Sequence, residues 1–112
     1  MKNKIIKIAE IFTPYPGGRY SVGKNNSGQE FRDSVLFPEL KKAIEGGYIL
    51  IINLDGVAGY SSSFLDEAFG GLVREYHMDK DTLAKTMNLV SEEDPYCIDE
   101  IMEYIENAAS GK

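Results

Sequence analysis

The strongest apolar run in the chain lies in its middle. Tyr48 to Leu54 reads Tyr-Ile-Leu-Ile-Ile-Asn-Leu, almost continuously apolar and rich in isoleucine. A short run of that kind suits a strand covered on both faces. Asp55, Gly56 and Gly59 end it and open a loop. After Ser61, Ser62 and Ser63 the period changes. Phe64, Leu65, Ala68, Phe69, Leu72, Val73 and Tyr76 recur at helical spacing, with Asp66, Glu67, Arg74 and Glu75 on the other side. The pattern predicts a central strand, a polar loop and an amphipathic helix whose N-terminus presents hydroxyls. Loops at the carboxyl ends of buried strands are the usual binding places in α/β sheets, so function is expected at this one.

The flanking patterns are weaker. Lys4 to Phe12 reads as a strand, with Lys4 and Lys7 as the polar interruptions expected near a sheet edge. Thr13 to Gly18 holds two prolines and two glycines and predicts a turn. Arg19 to Val22 is expected to return as a short antiparallel strand, and Gly23 to Gly28 as a polar loop. A helix is predicted from near Ser27, with Phe31, Val35, Leu36, Leu40, Ala43 and Ile44 on its apolar face and a stop at Gly46-Gly47. Pro38 should kink or divide it. Asp79 or Asp81 is expected to cap a short helix through Leu83 and Ala84, and Thr86 to Val90 forms a last strand. Ser91 to Pro95 marks a final helix start, followed by a narrow stripe of Ile98, Ile101, Met102 and Ile105. The order predicts one α/β domain over residues 1–112: a small mixed sheet of about four strands, with helices on one side.

Composition narrows the function classes. A chain of 112 residues, 43% hydrophobic, fits one domain with a real core. The net charge of −6 argues against a phosphate backbone as partner, so no nucleic acid is expected. A single cysteine, Cys97, allows no internal disulfide. No run approaches the length of a membrane span, and nothing resembles a signal peptide. A reduced, cytoplasmic protein without a membrane partner is the expectation.

Several candidate chemistries fail on residue type. Gly18 to Lys24 matches much of a phosphate-binding loop, but Asn25 follows Lys24, and an amide cannot replace the hydroxyl that ligands magnesium. His77 is the sole histidine, and no cysteine pair accompanies it, so no metal site is expected. Cys97 sits among acids, which raise a thiol pKa. Ser63 and His77 stand at opposite ends of one predicted helix, about 20 Å apart at 1.5 Å per residue. No catalytic set and no cofactor are therefore expected, and the chain reads as a non-enzyme.

The serines carry two readings. Ser63, with Asp66 three residues on, looks like a capping box. A phosphate at the same place would be tolerated by the helix dipole, yet would add charge beside Asp55 and Asp66 and expel an acidic or apolar partner. Both readings stand on the residues alone.

Asn53-Leu54-Asp55-Gly56-Val57 and Tyr60-Ser61-Ser62-Ser63-Phe64-Leu65 follow a strand–loop–helix pattern that resembles the STAS domain of anti-sigma-factor antagonists. Ser63-Phe64 and Glu67 match the Ser-Phe-x-x-Glu pattern of a STAS-like family of unassigned function, and Gly28, Phe31 and Arg32 match its Gly-x-x-Phe-Arg start to the first helix. In this register Ser63 takes the place of the antagonists' phosphorylated serine. Ser61 replaces their aspartate and Phe64 their glycine. The resemblance implies a non-enzymatic module that binds a protein, such as a kinase of the histidine-kinase-like ATPase fold. Ser63 is then the switch, with Ser62 and Ser61 as alternates. Asp55, Tyr60, Phe64, Asp66 and Glu67 are the contact candidates. The competing expectation is a small-ligand or nucleotide sensor that uses Gly18 to Gly28 and the serine loop as an anion cradle. Neither reading specifies an oligomeric state.

Overall fold

A parallel sheet of three strands, in the order β1-β2-β3, forms the centre of the molecule. The structure is a computed structural model and describes residues 2–20 and 26–111. The elements run β1 (Asn3–Lys7), a single turn α1 (Ile8–Ile11), α2, β2 (Ile49–Asn53), α3, α4 (Lys80–Thr86), β3 (Met87–Val90) and α5 (Tyr96–Ala109). The two long middle helices share a construction. In α2, Gly28–Phe31 is α-helical, Arg32–Leu36 is a π-helical turn, and Phe37–Gly46 is α-helical again. In α3 the same sequence is Ser62–Leu65, Asp66–Gly70 and Gly71–Tyr76.

The expected mixed sheet of about four strands is corrected on two counts. All the pairing is parallel, because each strand-to-strand connection carries helices. Arg19 and Tyr20 are not in a strand; the rest of the expected antiparallel strand lies outside the described residues. The first strand also ends early: Ile8 turns into α1 and is fully buried there, although isoleucine favours strands.

β2 is central in the sheet but covered on one face only. Leu50 and Ile52 are fully buried, while Ile49, Ile51 and Asn53 are half-buried. Ile5 pairs in register with Ile51 and is 68% exposed. The packed face meets Leu36 and Leu40 of α2, Phe64, Phe69 and Leu72 of α3, and Ile101 and Ile105 of α5 in one core.

Pro38 does not break α2. It falls in the first turn of the segment that follows the π-helical turn, where a missing N–H costs little. Gly47 closes α2 in the left-handed conformation, with φ at 69°. His77 does the same for α3 at φ 56°, without glycine's freedom. Asp79 caps α4 as expected, accepting from Thr82 N–H. Among the described residues no helix is long and apolar enough to cross a membrane.

Candidate functional site

β2 delivers its chain to the serine turn at the carboxyl end of the sheet. Asp55 braces this end. Its carboxylate accepts from the backbone N–H of Glu92 and Glu93 and from the Ser91 hydroxyl, which ties the β2–α3 loop to the β3–α5 loop. Those bonds, the Glu92 N–H foremost, hold its pKa below the usual carboxylate range. Tyr60 donates to the Leu54 carbonyl at 2.7 Å, and its ring packs on Phe64. Burial pushes its phenol pKa up.

The cap of α3 is Ser61, not Ser63. Ser61 has extended backbone angles, and its Oγ accepts from Phe64 N–H at 3.0 Å. The expected Ser63–Asp66 box fails because Asp66 is engaged elsewhere: its carboxylate receives Arg19 at 2.8 Å and Arg74 at 3.0 Å. Burial works against the Asp66 charge, but the two arginines outweigh it and lower its pKa. The three hydroxyls have separate fates. Ser61 also donates to the Gly17 carbonyl at 3.0 Å. Ser63 is half-buried, with its Oγ 3.3 Å from that of Ser61. Ser62 is exposed and reaches the Tyr104 hydroxyl of α5, which in turn donates to Glu100.

The segment 13–20 lies as a strap across the starts of α2 and α3. Ala58 N–H donates to Pro14, Gly28 N–H to Gly18, and Gln29 N–H to Arg19. Ser27 caps α2 through Glu30 N–H. These amides are the ones an anion would need, and they are already bonded within the chain. The anion cradle expected from Gly18 to Gly28 is thus closed along its described part; Ser21 to Asn25 lie outside the described residues.

Beneath the turn, the two motifs read in the sequence pack on each other. Phe31 and Phe64 are stacked at 6.0 Å, both fully buried. Arg32 meets Glu67: one guanidinium nitrogen donates to the Glu67 carboxylate at 2.5 Å and to its carbonyl at 2.9 Å. Burial opposes the Arg32 charge, yet bonds to Glu67 and Asp33 leave its pKa raised. Gly28 sits where an added Cβ would come within 2.4 Å of the Phe64 carbonyl oxygen. The π-helical turn in α3 matters here as well. Its Asp66 and Glu67 carbonyls face side-chain donors, Arg74 and Arg32, in addition to the backbone.

Two expected contact residues are corrected by this packing. Phe64 is fully buried and Glu67 is 6% exposed, so neither can meet a partner on the surface. The Ser-Phe-x-x-Glu pattern faces inward because it holds α2. Asp55, Tyr60 and Asp66 are half-buried at the site. Arg19, Arg74 and Tyr104 also belong to it and were not foreseen. Arg19 bonds residues 47 and 48 positions away, which no local pattern signals. His77 and Cys97 stay apart from the serines, at the end of α3 and the start of α5. Burial, with nearby acids, raises the Cys97 thiol pKa.

No curated protein and no solved structure matches the chain. A family model does, over residues 27–96, and its description is a STAS-like domain of unknown function (DUF4325). The match opens on Ser27, the cap of α2, and closes on Tyr96, the first residue of α5, so it contains both motifs that meet at Arg32 and Glu67. With more than half of its residues matched, the chain belongs to this STAS-like family.

Proposed function

We propose that this chain is a non-enzymatic cytoplasmic regulatory module that docks a protein partner at the serine turn, and that a phosphate on Ser62 switches the docking. The observation that carries the reading is the division of labour among the three hydroxyls. Ser61 has its oxygen and its proton committed to Phe64 and Gly17. Ser63 is half-buried against Ser61. Ser62 alone combines exposure with a position in the first turn of α3. The resemblance favours Ser63; the geometry favours Ser62.

A phosphate on Ser62 would enter the reach of Tyr104 and Glu100 while the helix amides nearby are already bonded. Like-charge repulsion from Glu100 then outweighs what the dipole offers. A kinase of the histidine-kinase-like ATPase fold is the partner the resemblance implies.

Intact-mass and peptide mass spectrometry on protein from its native host tests this. A growth-dependent, near-stoichiometric phosphate on Ser62 is expected. If no phosphate appears under any growth condition, the switch is wrong. Ser62→Asp should release the bound partner and Ser62→Ala should retain it; equal retention by both would remove the turn as the interface.

A further inference from the structure

Beside the serine turn, on the side away from the strap, a cavity of about 270 Å³ opens between the β2–α3 and β3–α5 loops. Its walls are of two kinds. Val57, Tyr60 and Cys97 give apolar surface, the Tyr60 hydroxyl being turned away onto the Leu54 carbonyl. Asp55, Glu93 and Asp94 give carboxylates. Among the described residues no cation forms an ion pair with any of the three. Lys7 is the nearest such charge; it lies by Gly56 and acts on Asp55 from a distance. Asp55 is satisfied by backbone donors, and Glu93 accepts from Gly56 N–H. Both are thereby held in place with their charge unneutralised.

We infer that this cavity receives a lysine or arginine side chain of a protein partner. The inference rests on the docking reading above and names the chemistry of what docks. An anion is repelled by three carboxylates, and a purely apolar group would strip them of water without return. A long-stemmed cation satisfies both walls, its methylenes against Val57, Tyr60 and Cys97 and its head at the carboxylates. Tyr96 decides between a protein and a free amine. It stands between the lining residues Asp94 and Cys97 and is 81% exposed, an aromatic platform beside the mouth on which a partner's backbone can lie. A small diamine has no use for it.

The test is an amide-shift titration of the full, nitrogen-15-labelled chain with capped tripeptides, alanine–X–alanine, in which X is lysine, arginine or norleucine. Saturable shifts at Val57, Ala58 and Asp94 are expected with lysine or arginine and not with norleucine. The exposed pair Glu93→Gln and Asp94→Asn should weaken them by about tenfold. Binding by the wild type should also fall as salt is raised, which needs no variant. Equal shifts with norleucine, or none with either cation, overturn the inference. Putrescine binding as tightly as the lysine peptide overturns the protein source. If the peptides fail while Ser62→Asp still releases a partner, the cavity is wrong and docking at the serine turn stands.

Discussion

Arg32 and Glu67 form an ion pair from which solvent is almost excluded: their side chains are 4% and 8% exposed. One comes from the π-helical turn of α2 and the other from that of α3. The pair therefore fixes how the two helices meet. Removing one partner leaves a buried charge alone, which costs about 3–5 kcal/mol. Glu67→Ala is expected to lower the unfolding free energy by that order in urea titrations. A loss below about 1 kcal/mol, the range of an exposed pair, would mean that water reaches the site.

Gly28 is held to glycine by space. A Cβ there would press on the Phe64 backbone, which cannot rotate away, whereas one at Gly18 would meet nothing within 4 Å. Gly28→Ala should destabilise by about 1–3 kcal/mol, the range of an overpacked core. Gly18→Ala should be close to neutral. Thermal unfolding of the two variants side by side checks the contrast.

Ser61→Ala should cost about 1 kcal/mol as a lost N-cap, and Ser63→Ala less than about 0.5 kcal/mol. The bond from Ser61 to Gly17 adds a second readout. Hydrogen exchange in the strap should quicken in Ser61→Ala and stay unchanged in Ser63→Ala. The reverse order would restore Ser63 as the cap.

Acid should weaken the fold in part through Asp66. Its folded-state pKa lies below the ordinary value of 3.8 because Arg19 and Arg74 favour the carboxylate over the cost of burial. A depressed pKa contributes stability that is complete above the unfolded-state value and is lost as pH falls through the folded-state one. Asp66→Asn should therefore be less stable at neutral pH and show a shallower loss of stability below about pH 4. Parallel curves for variant and wild type would show that the arginines do not discriminate the two forms.

His77 occupies a left-handed position at the end of α3 that glycine adopts without strain. His77→Gly should raise stability by about 1 kcal/mol. Circular dichroism melts would detect it; a decrease would show that the imidazole has a contact worth more than the strain.

Much of this arrangement was legible in residue order, and what escaped has physical causes. The isoleucine run of β2, the caps of α2 and α4, and the Phe31–Phe64 and Arg32–Glu67 pairings all rest on short-range spacing or on motifs. The strand ending at Lys7 did not show, because burial of Ile8 in a turn overrides its strand preference. The cap was read two residues late, since Asp66 is diverted by arginines distant in sequence. Covering of β2 on a single face was hidden too. An apolar run reports that a strand is central but not how many layers lie over it, and here Ile5 and Ile51 lie on the less covered side. The π-helical turns left no trace, because Phe64, Leu65, Ala68, Phe69 and Leu72 fit either helix period over so short a span.

Those two wide turns set a strict accounting of chain length. Each holds about one residue more than an α-helix would over the same rise. Deleting a residue within Asp66–Gly70 would not merely tighten the helix. It would swing everything that follows by about 100°, one residue's rotation, and carry Arg74 away from Asp66 and Tyr76 away from Asp33. A single missing codon there is thus expected to do more harm than several lost from an exposed loop.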